Sequence, residues 1–249
     1  MQRQALHFVS SLLLAASLLT SGCQKEGAGC VQGRGDQSEE IRTLSTFTQL
    51  YVEGRVNVRL FADSADYVRV AYGQNGLAGI QTIVSDDTLR ISEVNQCDWF
   101  KKIDPLPLVE IHYSSLNSIF SQSAAEVRFM DAYVGDTLRI EIEDAAGSMY
   151  ILAESERVNI LVHTGATDVT LKGSSTQLYV YNSGYGPIHA EECVARTATV
   201  HNNGTSDTYV RAWESVFTQI YHLGNIYVSG DPALTRWHEE GGGQVFFVD

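Results

Sequence analysis

Proline is scarce, four residues in 249, and cysteine is equally so at four. So little proline excludes polyproline and collagen-like chains. The cysteines, separated by 7, 67 and 96 residues, form neither a disulfide-dense scaffold nor the paired close spacing of a zinc site. Positive charge is short as well: 17 Lys and Arg against 30 Asp and Glu leave −13 at neutral pH. Nucleic-acid binding rests on basic side chains that neutralise phosphates, so no nucleic-acid partner is expected, and an anionic lipid surface is an equally poor match. The longest apolar run, Phe8 to Leu19, falls short of the ~20 residues that span a bilayer as a helix. From Ile41 onward the chain also lacks the three-to-four-residue periodicity of amphipathic helices.

A hydrophobic share of 44% with 19% charge is enough to bury a core, so the chain should be globular. Residues 1–22 carry Arg3, the apolar run and Thr20-Ser21-Gly22, the order of a secretory signal. Cys23 directly after that triplet resembles the lipobox of bacterial lipoproteins, with Thr20 where a Leu is usual. The resemblance implies lipidation at Cys23, a membrane partner through that anchor and a tether over 23–40. Gln24-Lys25-Glu26 resembles the short charged signal that sends such lipoproteins to the outer face of the outer membrane, the periplasmic face being the alternative. That compartment permits disulfides. Cys30 and Cys97 are the expected pair, Cys97 with Cys193 the alternative, and an unpaired Cys193 reads as a small buried hydrophobe. Arg34-Gly35-Asp36 reads as a chance match.

Two-residue alternation dominates the rest, as in Val56-Asn-Val58-Arg-Leu60 and Leu89-Arg-Ile91, and predicts strands. Segment 41–107 reads as hairpins divided by Asp63-Ser64-Ala65-Asp66 and Ser85-Asp86-Asp87, turn formers that bond their own backbone. Segment 108–249 reads as repeat coils. Ile140, Ile160, Val180, Val200 and Ile220 recur every 20 residues, and Leu138, Val158, Leu178 and Ala198 do so two places earlier. A second register holds Met149/Ile151, Val169/Leu171, Ile188/Ala190, Thr208/Val210, Ile226/Val228 and Val245/Phe247. Gly147, Gly165, Gly184, Gly204, Gly224 and Gly242 fall between the registers, where a positive φ is expected. Twenty residues without a helix cannot close a core alone, but stacked coils can. The predicted class is all-β: a right-handed parallel β-helix, or solenoid, of about 20-residue coils.

Arg42-Thr-Leu-Ser-Thr-Phe47, Val56-Asn-Val58, Asn95-Gln-Cys97-Asp-Trp99, Ser183-Gly-Tyr-Gly-Pro-Ile188 and Gly224-Asn-Ile-Tyr-Val-Ser-Gly230-Asp-Pro232 together resemble the GIN domain, the head domain of auto-transporter adhesins. The resemblance spans about 42–249 and implies a single β-helical domain over 41–249, envelope placement and no established enzymatic activity. The family's turns often carry Gly-Ser-Gly, whereas single glycines stand in Thr164-Gly-Ala and Asn203-Gly-Thr here.

Chemistry is thinly represented. Asp168 and Asp207 precede matching strands two coils apart, roughly 10 Å at ~4.8 Å per coil, outside the ~6.5–9.5 Å of an inverting carboxylate pair. His163, His201 and His222 do not fall at matched positions on adjacent coils, so no metal, no cofactor and no catalytic residue is expected. Between the inward pairs stand outward-facing residues, most of them aromatic: Tyr150, Thr170, His189, Tyr209, Tyr227 and Phe246 on one side, Tyr179, Tyr181, His201 and Tyr221 on the other. They mark the expected binding face for a glycan or protein, Tyr209 and Tyr227 forming one flat platform. The expected function is a non-enzymatic envelope adhesin or binding module. The alternatives are a polysaccharide-acting β-helix enzyme, lyase or hydrolase, and a passive structural protein.

Overall fold

The computed structural model describes residues 33–94 and 105–248. The expectations placed on the leader, Cys23, Cys30 and Cys97 lie outside the described residues.

Alternating burial turns nearly every described segment into strand. The first part of the chain forms β1 (Gln37–Thr43), β2 (Gln49–Gly54), β3 (Asn57–Ala62), β4 (Tyr67–Gly73), β5 (Ile80–Ser85) and β6 (Thr88–Glu93). Then follow β7 (Leu108–Tyr113), β8 (Ser118–Ser123), β9 (Glu126–Phe129) and β10 (Tyr133–Ile142). Then come the long strands β11 (Ser148–Val162), β12 (Asp168–Asn182), β13 (Ile188–Asn202) and β14 (Thr208–Ile220), and last β15 (Ile226–Ser229), β16 (Leu234–Glu239) and β17 (Val245–Phe247). The predicted solenoid is present, with strands in parallel register and partners about 20 residues apart, as in Ile140 opposite Ile160 and Ile160 opposite Val180.

Each coil contributes to two faces. One face runs β5-β6-β2-β8-β10, continues through the C-terminal halves of β11 to β14, and ends at β16. The other runs β1-β4-β7-β3-β9, continues through the N-terminal halves of the same long strands, and ends at β15 and β17. Residues such as Glu154 to Arg157 carry one strand around the corner between the faces, so what reads as two strands per repeat is often one bent strand of 15.

The start of the domain departs from the hairpin expectation. Only β1–β4, β4–β7 and β5–β6 are antiparallel. β2 and β3 already form a coil, wedged between β6/β7 and β8/β9 by parallel pairing on both sides. The chain therefore lays down a coil, goes past it to build the capped end, and returns over it. The tether expected over 23–40 is also shorter, since β1 begins at Gln37.

The inward registers form a single core in which Ile140, Ile160, Val180, Val200, Val169 and Leu171 are fully buried. The 20-residue period is not uniform: Val169 and Thr170 face Ile188 and His189, 19 residues on, before a shift at Lys172 restores 20, and the larger break lies between β13 and β14. Glu191 to Cys193 bulge out of β13, the spacing to β14 falls to 18, and Val200 faces Thr218 while Ile220 faces Asn202. Ile220 thus belongs to the row Ile142, Val162, Asn182, Asn202, not to the row of Val200. Asn182 and Asn202 are fully buried and close the turns beneath them. Asn202 Nδ2 donates to the carbonyls of Ser206 (2.9 Å) and Asn225 (3.1 Å), and its Oδ1 accepts the Gly204 N–H (3.0 Å).

The corner glycines have another cause than the one expected. Of the six, only Gly165 has a positive φ, 98°. Gly147, Gly204 and Gly224 are demanded by stacking: a Cβ would sit 1.8 Å from the Ala125, 2.4 Å from the Gly184 and 2.1 Å from the Ser206 carbonyl oxygen, whereas one on Gly242 would meet only Leu223 Cδ2 at 3.0 Å.

Candidate functional site

The row containing Tyr150 is in register across the whole face. Arg59, Arg128, Tyr150, Thr170, His189, Tyr209, Tyr227 and Phe246 are successive cross-strand neighbours. At its N-terminal end the row is ionic. Arg128 holds Glu126 through two hydrogen bonds of 3.0 and 2.9 Å, which keeps that carboxyl below the usual range. Its guanidinium also covers the Tyr150 ring at 3.7 Å. Further along the row is aromatic: His189 to Tyr209, Tyr209 to Tyr227 and Tyr227 to Phe246 are 4.9, 4.8 and 5.1 Å between ring centres, with planes within 18° of parallel. Burial is the main cause that pushes the Tyr209 hydroxyl above its usual value.

This geometry corrects the expected platform. Near-parallel rings so close together must overlap face to face, so each ring spends its faces on its neighbours and turns its edge outward. A sugar ring stacks on an aromatic face, and both faces of Tyr209 and of Tyr227 are taken by neighbouring rings of the row.

Tyr179 and Tyr181 lie on the other face, so the six tyrosines singled out from the sequence do not converge. Tyr179 packs obliquely on His201 (5.6 Å, 47°), and the Tyr181 hydroxyl accepts from Asn203 Nδ2 at 3.3 Å. Tyr221 is not in their row, because the 18-residue spacing puts Gln219 opposite His201 and leaves Tyr221 beyond the end of β14. Burial holds the His201 imidazole below its ordinary value.

No three His, Cys, Asp or Glu among the described residues are grouped so as to hold a metal. Asp207 is a turn cap, its Oδ1 accepting the Asn225 N–H (2.9 Å) and Nδ2 (3.0 Å). Cys193 is buried and unpaired at the β13 bulge, and burial raises its thiol. A cleft of about 720 Å³ between Ser114–Ser118 and Ala132–Thr137 is lined by Tyr113, whose buried hydroxyl has no hydrogen-bond partner and is pushed up to about 12, chiefly by burial.

The feature that sequence reasoning missed is the C-terminal end of the solenoid. Seven of the 15 exposed large hydrophobic residues fall within 221–248: Tyr221, Leu223, Leu234, Trp237, Phe246, Phe247 and Val248. Trp237 and Phe247 hold inward register positions, opposite Thr218 and Val228, yet are 55% and 47% exposed, with no coil over them among the described residues. Phe247 was expected inside. The signal was available, since an inward pair in the last repeat of a solenoid has nothing above it. A cleft of about 730 Å³ opens there, with Trp237, Phe247 and Val228 on its apolar side and Arg211, Asp231 and Thr235 on its polar side.

Crystal structures of similar architecture are known. A putative adhesin from Bacteroides fragilis superposes with a TM-score of 0.78 at 20% identity, covering 86% of this chain and 97% of that one. A putative adhesin from Parabacteroides distasonis gives 0.65 at 19% identity, covering 87% and 98%. A putative lipid binding protein from the same species gives 0.59 at 16%, again covering 87% and 98%. These likenesses are of fold. No curated protein matches the chain. In sequence, residues 46–232 match the family described as "putative auto-transporter adhesin, head GIN domain", and that match, with the coil architecture beneath it, makes the chain a member of that family.

Proposed function

We propose that this chain is a non-enzymatic binding module of the bacterial cell envelope, lipid-anchored through Cys23 at the outer membrane and exposed at the cell surface, which contacts a protein or glycan through the uncapped end of its solenoid. The observation that carries this reading is the difference between the two ends. At the N-terminal end β4 pairs antiparallel with β7, β5 antiparallel with β6, and β1 with β4, so the parallel edges are covered. At the other end β16 and β17 leave inward-register aromatic side chains in solvent. A soluble solenoid usually finishes on a polar cap, and a cluster of exposed apolar rings of this kind marks an interaction site. The family described as adhesin heads agrees with an adhesive role at the envelope.

The test is binding of the purified chain to glycan and protein arrays. Trp237→Ala should lose binding while keeping the wild-type circular dichroism and melting temperature, and Tyr209→Ser with Tyr227→Ser should retain it. Loss in the tyrosine variant with retention in Trp237→Ala would return the binding surface to the side of the solenoid.

A further inference from the structure

Resting on the reading of the uncapped end as the binding surface, we infer that the cleft at Trp237 takes a neutral saccharide. Its volume of about 730 Å³ lies within the ~300–1,000 Å³ typical of small-ligand sites. Trp237 and Phe247 have ring centres 5.6 Å apart and planes at 67°. They therefore form a corner instead of a stack, and ring surface stays available, unlike the rings of the side row. A pyranose offers an apolar C–H face to such a ring and hydroxyls around its rim.

The rim of the cleft supplies partners for those hydroxyls. Arg211 stands opposite Ser229 and packs along Gly230, where a Cβ would come within 3.0 Å of its Cγ. Asp231, one residue further, is held at φ 50° directly after Gly230 at φ 93°. Gly230 adopts its φ freely, whereas the non-glycine Asp231 bears a backbone cost of the kind that concentrates at ligand-binding turns. Among the described residues no hydrogen bond or ion pair engages the Arg211 guanidinium or the Asp231 carboxylate, although both line one cleft. A donor fork and an acceptor of opposite charge, both unspent, suit a ligand that both donates and accepts hydrogen bonds and carries no net charge. An anionic ligand would meet Asp231 inside the cleft and the −13 net charge of the chain outside it. An apolar peptide or a second copy would leave the Arg211 and Asp231 charges covered and unpaired.

The experiment is saturation-transfer NMR and calorimetry of the full chain with cellotetraose, maltotetraose, xylotetraose, mannotetraose and triacetylchitotriose, each at ~10 mM, where even millimolar affinity registers. At least one sugar should bind saturably. Trp237→Ala should weaken it at least about tenfold, and Arg211→Ala and Asp231→Asn each by about threefold or more. The inference is overturned if none of the five binds, if Trp237→Ala binds as well as the wild type, or if sedimentation shows a dimer that Trp237→Ala dissociates. Loss of array binding to a protein in Trp237→Ala without any sugar binding would sink the saccharide and leave the proposed function standing. Array binding that Trp237→Ala leaves untouched would sink both.

Discussion

Adjacent residues in β12 meet opposite conditions. Val180 is fully buried between Ile160 and Val200, while Tyr181 is half-buried on the outer face, beside His163 at 5.9 Å. A carboxylate at Val180 would have no partner and no water, whereas one at Tyr181 would be solvated. Val180→Asp should therefore cost more than ~4 kcal/mol or prevent folding, and Tyr181→Asp about 1 kcal/mol, as read by urea denaturation. Equal effects would refute the inward and outward assignment. His201 gives a pH dependence. Burial lowers its pKa from 6.5, so the neutral imidazole is the folded form and the unfolded chain takes up the proton first as pH falls. Its contribution is fully present above pH 6.5 and is lost as pH falls through the folded value. The lowered carboxyls of Glu40 and Glu126 lose theirs only below 4.5. The denaturation midpoint should thus fall between pH 7.5 and 5.5, and His201→Gln should flatten that fall. An unchanged slope would mean that another group takes the proton.

At the scale of the coil, backbone stacking sets the limits. Gly204 has no unusual φ, so alanine fits its torsions, but the Cβ would lie 2.4 Å from the Gly184 carbonyl oxygen. Gly204→Ala should destabilise by about 1–3 kcal/mol, the range for overpacking a rigid contact. Gly242→Ala should cost less, because it meets only the terminal Cδ2 of Leu223, at 3.0 Å. Melting temperatures of the two variants check this, and equal losses would contradict the stacking account. The same elements show how far the sequence could be read. Along Leu138, Val158, Leu178 and Ala198 and along Ile140, Ile160, Val180 and Val200 the 20-residue recurrence located the inward residues, because these parts of β10 to β13 pair at a constant spacing of 20. It failed at Ile220, where the β13 bulge shortens the spacing, since a two-residue change leaves the alternation intact and only moves its phase against the neighbour. The coil of β2 and β3 looked like a hairpin because local alternation does not say whether a strand pairs with the next segment or with one 69 residues on. The row from Tyr150 to Phe246 was legible as a row, whereas the shifted place of Tyr221 and the tilt of the rings that hides their faces were not.

For the whole molecule, geometry and anchoring act together. The face from β5 to β16 holds ten strands, and nine spacings of ~4.8 Å separate its capped and open ends by about 43 Å. The described chain begins at the capped end, where the Arg34 carbonyl accepts the Asn75 N–H beyond β4. A lipid on Cys23, ten residues before that segment, would hold the capped end near the membrane and leave Trp237 and Phe247 at the far end. One lipidated residue then decides both location and orientation. In wild-type cells the chain should fractionate with outer membranes, and a tag after Asp249 should be reached by antibody and removed by protease on intact cells. Cys23→Ala should release the chain to the soluble fraction with the wild-type circular dichroism and melting temperature. Identical fractionation of the two forms would refute the anchor, and a tag protected in intact but not in broken cells would place the module on the periplasmic face.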